Sequence, residues 1–449
     1  MLFYRICVIT VLLGFCGISN ANDLNQNWHQ FRGPTGNGIA VDANPPVQWK
    51  TENAKWKTEI PGSGSASPIV WDDKIILLTS LKTDRKPEET TKSAEPSEEK
   101  QGRGRGRRRM SRAVPTHYHE FYVVCLNRED GKVLWQTKVA EEVPHEGGHS
   151  TNTFSSGSPI TDGKHIWASF NSFGLFCLDM DGGLKWERQF GKMTTRASFG
   201  EGASPALYGD TLILNWDHEG QSFIEAMDAA SGKTKWKKER DERTTWSTPA
   251  FAKVGDTVQV ITNGSTRVRS YDLANGDLLW ECGGQTGNPI PTPIVLDDMV
   301  VCMTGFRANA AMGIPLSSQG DITDSENIIW SRRDIGPYVP TGVLCQGNIY
   351  STKGSNAILT SINAKTGETV IDASRLDGIK TLYASLVAAN DHIYVTGRNG
   401  TTLVLKHGDE LDVVATNELG EPVDATPAIV GNEIFIRGEK NLYCFENVD

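Results

Sequence analysis

The chain has 449 residues, with 45 Lys and Arg against 55 Asp and Glu, for a formal net charge of −10. That balance argues against nonspecific nucleic-acid binding, which needs a basic footprint. The length suffices for a large core, and a repeat described below uses nearly all of it as one domain.

Residues 1–21 read as a secretory leader. Arg5 supplies the positive start, Ile6 to Ile18 the apolar run, and Ser19-Asn20-Ala21 a small-x-small cleavage site. The run is short for a membrane span. The mature chain is therefore expected to be periplasmic or extracellular and to lack a transmembrane segment; an uncleaved anchor is the alternative. Leu13-Gly14-Phe15-Cys16 departs from a lipid-anchor signal, because Phe15 stands where a small residue is wanted. Residues 22–44 form an N-terminal extension.

Residues 45–449 carry the repeat. A small residue and then Ser/Thr-Pro precede an apolar strand at Ser67-Pro68, Ser158-Pro159, Ser204-Pro205, Thr248-Pro249, Thr292-Pro293 and Thr426-Pro427. Thr341-Gly342 and Ser385-Leu386 are degenerate copies. The third copy shows the whole unit: a first strand at Ser204–Tyr208, a Gly209-Asp210 turn, strands at Thr211–Trp216 and Gln221–Asp228, a Ser231-Gly232 turn, and a last strand from Lys233 to Lys237. Four short strands per repeat make one propeller blade. The spacing predicts an all-β, eight-bladed β-propeller of four-stranded antiparallel blades. The last copy has only three strands, and Ala54–Ile60 supplies the missing fourth, so the ring is expected to close through an N-terminal strand. A Trp follows the third hairpin at Trp135, Trp186, Trp236, Trp280 and Trp330, with Trp56 at the matching place, and is expected to seal the joint to the next blade.

Residues 82–120 interrupt blade one between its second and third strands. The insertion is acidic first, then Arg-rich over Arg103–Arg112, with little to bury, which predicts disorder. It reads either as an arm for an anionic partner or as a self-neutralising solvated loop. Six cysteines lie beyond the leader. Cys125, Cys177 and Cys444 share one place in strand three of different blades, which predicts buried thiols, not a disulfide framework.

Loops entering each blade share a face with the loops between strands two and three. On that face, blades two to four carry His145, Glu146, His149, Arg196, Glu201, Asn215, Asp217, His218, Glu219, Asp241, Glu242 and Trp246. This sector could hold a divalent metal, supply a general acid and base, or simply order the loops. Blades four to eight place Arg267, Arg307, Lys353, Arg398 and Arg437 near the rim, either as a ring for an anionic ligand or as solubilising charge. No Gly-x-Ser-x-Gly elbow, P-loop or dinucleotide fingerprint is present, so no catalytic residue is named.

Asp228-Ala229-Ala230-Ser231-Gly232-Lys233-Thr234-Lys235-Trp236 and Asp272-Leu273-Ala274-Asn275-Gly276-Asp277-Leu278-Leu279-Trp280 resemble the repeats of pyrroloquinoline-quinone (PQQ) enzyme-like propellers. The opening Trp28-His29-Gln30-Phe31-Arg32-Gly33-Pro34-Thr35-Gly36-Asn37-Gly38 resembles the start of secreted PQQ-like proteins common in planctomycete bacteria. The resemblance implies one of two branches. Quinoprotein alcohol dehydrogenases bind PQQ and calcium, many with a vicinal Cys-Cys that this chain lacks. The branch similar to the outer-membrane assembly protein BamB is a cofactor-free scaffold for protein partners. The leading expectation is an exported monomeric propeller that binds a protein or other ligand and needs no cofactor. The alternatives are an oxidoreductase using PQQ with calcium or another divalent metal, and an anionic-polymer binder.

Overall fold

A computed structural model of the chain describes residues 26–88 and 114–448. Residues 1–21, read above as a leader, and most of the insertion, including its Arg tract, lie outside the described residues.

Eight sheets follow one another round a ring. Blade three is Ala206–Tyr208, Thr211–Trp216, Ser222–Asp228 and Thr234–Arg240, all antiparallel. Its last strand runs three residues beyond the Lys237 end predicted from sequence, because Lys238, Glu239 and Arg240 still pair with Ile224, Phe223 and Ser222. Blade one carries the insertion on a long hairpin, with Lys74–Lys82 paired to His119–Asn127 along its whole length.

The recurring hydroxyl joins the blades. The backbone N–H of Ser67 donates to Ser158 Oγ (3.0 Å), and that of Ser158 to Ser204 Oγ (2.9 Å). Thr292, Thr341, Ser385 and Thr426 continue the pattern to Thr341, Ser385, Thr426 and back to Ser67, at 3.1, 3.0, 2.9 and 3.2 Å. The two degenerate copies keep the hydroxyl and lose only the proline. The change has local causes. Leu386 N–H donates to Thr341 O, which a proline could not do, and a Cβ on Gly342 would sit 2.8 Å from Tyr350 O.

The tryptophans seat as expected. Trp56, Trp135, Trp186, Trp236 and Trp330 each donate Nε1–H to a carbonyl of the following blade, those of Arg128, Met180, Ala229, Leu273 and Ala364. Each ring lies flat on the hairpin glycine there. A Cβ on Gly131, Gly182, Gly232, Gly276 or Gly367 would come within 3 Å of it, and all five have positive φ. Trp280 departs from this. Blade five has no glycine hairpin but a long connection between Ala310–Pro315 and Trp330–Arg332. Trp280 is fully buried and bonds Gln259 Oε1, and Gly320–Asp321 of that connection adds a parallel fifth strand to blade four.

The ring closes where predicted. Trp56–Glu59 pairs antiparallel with Asn441–Glu446 in blade eight. Lys55 reaches Glu433 (3.0 Å), Glu129 (2.9 Å) and Glu446 (3.4 Å), while Arg128 also binds Glu433, so charge ties blades eight and one together. The six described cysteines are free and buried. Cys125, Cys177 and Cys444 each lie across the sheet from Trp135, Trp186 and Trp56.

The N-terminal extension is a strap across the face opposite the loops. Trp28 bridges Val70 of blade one, and Thr161 N–H of blade two donates to His29 O. Asn37 bonds the backbone of Val295 in blade five. Ile39–Ala40 pairs parallel with Ala388–Ala389 in blade seven. Trp49 stacks on Phe445 of blade eight at 5.2 Å. Arg32, fully buried, donates to the carbonyls of Gly342 (2.5 Å), Leu386 (2.5 Å) and Asn37 (2.9 Å). The glycines of the opening phrase make room for this. A Cβ on Gly33 would meet the Trp28 ring at 2.7 Å, and one on Gly38 would meet the Arg32 guanidinium at 2.5 Å.

Candidate functional site

The strap turns the central channel into a cup of about 320 Å³. Its wall carries the joint hydroxyls of Ser67, Ser158, Ser204, Thr341, Ser385 and Thr426, together with Thr248, and Phe31 of the strap reaches in from below. Above the hydroxyls, the loops entering successive blades contribute Thr151 and Asn152, Phe199 and Glu201, Trp246, Ile290, Tyr338, Tyr383 and Asp424, and the loop between the middle strands of blade five adds Phe306. Each loop thus supplies one or more side chains, and Phe199, Trp246, Phe306, Tyr338 and Tyr383 make half of those named aromatic. An aromatic mouth above a ring of hydroxyls is a mixed lining that a binding cavity can have.

The mouth is held by contacts among its own residues. Trp246 Nε1–H donates to Gly200 O (2.7 Å), and its ring lies 6.4 Å from that of Phe199. Phe306 and Tyr338 stand 5.0 Å apart. Thr151 of blade two reaches Tyr383 of blade seven at 3.3 Å. Arg398 grips Asp424 through two bonds (2.6 and 3.0 Å) and lies 4.2 Å from the Tyr383 ring centroid.

Of the loop-face candidates, His149, Glu201 and Trp246 line the cup, and Arg196 stands at its rim near Phe306. Most of the others are turned into the joints between loops, while Asp241 stays exposed. Glu146 accepts from Thr195 N–H and Oγ1–H. Glu219 accepts from Thr244 in the same way, and Glu242 from Thr266. Asn215, Asp217 and Thr245 form a buried cluster closed by Arg240, which meets Asp217 at 2.8 and 3.1 Å. Asp241 pairs with Arg269. His145 Nε2 lies 2.7 Å from Met193 O, and His218 Nδ1 accepts from Thr194 and Gly220 N–H. The three histidines therefore face three different sets of neighbours. Among the described residues, no group of three or more His, Cys, Asp and Glu side chains is placed to hold a metal ion.

The rim arginines divide as well. Arg267 is tied to Asp321 (2.7 Å) and Glu281 (3.2 Å), and Arg398 to Asp424. Arg307 lies beside the Phe306 ring, and Lys353 is exposed. Arg437 is buried and donates to Ala66 and Leu78 carbonyls, so it fastens blade eight to blade one instead of facing a ligand. Sequence reasoning did not single out Phe31, Phe306, Tyr338, Tyr383 or Asp424. Phe31 had a signal, in the opening phrase; the others stand alone in unlike loops.

Glu201 is the lining carboxyl with a displaced proton affinity. Ser172 N–H and Oγ–H both donate to it (2.8 and 2.5 Å), yet burial, helped by the nearby Glu146 charge, pushes its carboxyl up to about 7. A proton held more tightly by the folded chain makes stability fall as pH rises from about 4.5 to about 7 and level off above. The drop is bounded by ~3 kcal/mol. Glu201→Gln is expected to flatten this slope in denaturant titrations at several pH values; an unchanged slope would show that the proton sits elsewhere.

Comparison with known proteins agrees with this architecture. The family described as outer membrane protein assembly factor BamB matches residues 119–372. Over 256 residues, 53% of this chain, the sequence is 24% identical to the outer membrane protein assembly factor BamB of Yersinia pestis; the match spans 58% of that relative's length. Among solved structures, BamB from Moraxella catarrhalis superposes with a TM-score of 0.51 at 15% identity, covering 72% of this chain and 91% of that one. The quinohemoprotein alcohol dehydrogenase of Comamonas testosteroni gives 0.62 at 10% identity, covering 95% and 81%. A europium-containing methanol dehydrogenase gives 0.61 at 8% identity, covering 95% and 100%. At these identities the structural likenesses establish the propeller alone. The family match runs over more than half of the sequence, and the chain belongs to the outer membrane protein assembly factor BamB family.

Proposed function

We propose that this protein is an exported, non-catalytic propeller that binds a partner protein on its loop face. The observation that carries this reading is the way the loop-face carboxylates are used. Glu146, Glu219 and Glu242 each accept hydrogen bonds from the backbone and hydroxyl of a neighbouring loop, stacking the loops into a fixed platform around an aromatic cup. Rigid loops presenting aromatic side chains suit protein recognition. Family membership and the leader-like residues 1–21 support export and partner binding. Among the described residues, no helix is long and apolar enough to cross a membrane.

The residues present fit PQQ with calcium poorly. Calcium takes six to eight oxygen ligands. Both oxygens of Asp424 are held by Arg398, both of Glu201 by Ser172, and the sequence has no vicinal cysteine pair. An anionic-polymer role would rest on the Arg tract, outside the described residues. The binding reading is tested by photo-crosslinking from the loop face and from the opposite face, with the outcomes set out at the close of the Discussion.

A further inference from the structure

The loop running from blade two into blade three is bent at a cost, and the bend serves the cup. Ala197 and Ser198 both have left-handed backbones, with φ of 53° and 51°. Alanine has no side-chain hydrogen bond to offset that conformation, so it persists only where its surroundings impose it. Here the surroundings are Arg196 N–H on Thr244 Oγ1 (2.9 Å) and Ser198 N–H on Thr195 O (3.0 Å). The effect is to turn Arg196 and Phe199, on either side of the bend, toward the same opening.

Arg196 is half-buried on this face, whereas Arg243, Arg307 and Arg333 are exposed and Arg437 is spent on backbone carbonyls. Arg240, Arg267, Arg269 and Arg398 each pair with a carboxylate. Arg196 pairs with none among the described residues; its guanidinium lies 6.0 Å from the centroid of the Phe306 ring. Gly287 leaves it room, since a Cβ there would stand 3.1 Å from Arg196 Nη1. Below it, the cup is lined by Phe199, Trp246, Phe306 and Tyr338, with Phe31 as the floor. A half-buried cation without a counter-ion, above an aromatic cavity, is complementary to a ring joined to an acid.

We infer that the cup receives an aromatic side chain of the partner protein, with an adjacent acidic residue of that partner pairing with Arg196. This rests on the protein-binding reading and names the partner's chemistry. Phe31 sets the depth to which the ring enters, so the chain's own N-terminal strap shapes the specificity of the loop face.

The test uses the full chain and three fluorescently tagged peptides on the frame Gly-Ser-Xaa-Yaa-Ser-Gly, with Xaa-Yaa as Trp-Glu, Trp-Gln or Ala-Glu. Anisotropy titration is expected to rank Trp-Glu above both others. Arg196→Ala should weaken Trp-Glu by roughly tenfold, the loss of one charge-assisted pair, and leave Trp-Gln unchanged. Arg196→Lys should restore part of the loss. Arg196 is half-buried and outside every strand, so the variants are expected to melt like the parent. Equal weakening of Trp-Glu and Trp-Gln, no binding of any peptide, or preferential binding of free 2-naphthoate would overturn the inference. If crosslinking from the loop face persists while the peptides fail, the partner reading stands and only this chemistry falls.

Discussion

Replacing Trp56 with alanine is expected to destabilise the whole propeller by about 3–5 kcal/mol, the usual range for truncating a buried tryptophan. The residue belongs to the N-terminal strand that completes blade eight, and it touches both sides of the closure. Its backbone pairs with Cys444, its ring lies on Gly131 of blade one, and its Nε1–H donates to Arg128 O (2.8 Å). A ring of sheets is held by its joints, and an opened one exposes two blade faces and a strand edge. Deleting residues 45–60 removes more: the Trp49 stack, the Lys55 charge hub and the closing strand itself. The deletion is expected to prevent folding at ordinary temperature. Equilibrium denaturation with tryptophan-independent detection, such as far-ultraviolet circular dichroism, measures both. A Trp56→Ala midpoint equal to the parent's would mean that blade eight closes without this strand.

Asp217→Ala is expected to cost a comparable ~3–5 kcal/mol, although the residue contacts no part of the cup wall. Asp217 and Arg240 both have fully buried side chains. Arg240 also donates to Thr262 Oγ1 (3.0 Å) and Tyr271 OH (2.7 Å), so it is fixed between blades three and four. Removing Asp217 leaves the guanidinium without a carboxylate in ion-pair distance among the described residues, with the Glu242 charge acting on it from farther off. Replacing both partners with apolar residues of similar size avoids the stranded charge, and Asp217→Leu with Arg240→Met should recover much of the loss. His218→Ala serves as the comparison. It sits in the same loop, half-buried and bonded only to backbone groups, of Gly220, Gln221 and the neighbouring Thr194, and should change stability by about 0.5 kcal/mol or less. Equal effects of the Asp217 and His218 substitutions would contradict a structural role confined to Asp217.

These two cases show where sequence is informative. The Ser/Thr phrase was legible because six of its eight copies do the same job, a hydroxyl accepting from the blade before it, so the pattern repeats with the fold. Trp56 was legible for the same reason, as the seat of a repeated joint. Trp280 stood in the same sequence pattern yet took a different hydrogen bond, because the cause lies in the next blade's long connection, dozens of residues away. The loop-face carboxylates were legible as polar loop residues and nothing finer. A glutamate that braces a neighbouring loop and one that lines a cavity have the same surroundings in sequence, and only the fold separates Glu219 from Glu201. Phe306, Tyr338 and Tyr383 each stand alone in unlike loops. The cup they build is a property of the ring, which no single repeat displays. Arg437 makes the converse point: it matches the rim arginines in position but is swallowed by the closure, since blade eight must be fastened to blade one.

The most direct test of the binding account is crosslinking inside cells of the source organism. A photo-activatable amino acid is placed at position 243, exposed on the loop face, or at position 256, exposed on the turn between the first two strands of blade four and so on the opposite face. The account predicts a discrete crosslinked protein from position 243, absent from position 256 and diminished by Arg196→Glu. Crosslinks of equal pattern from both faces, or none from the loop face, would contradict it.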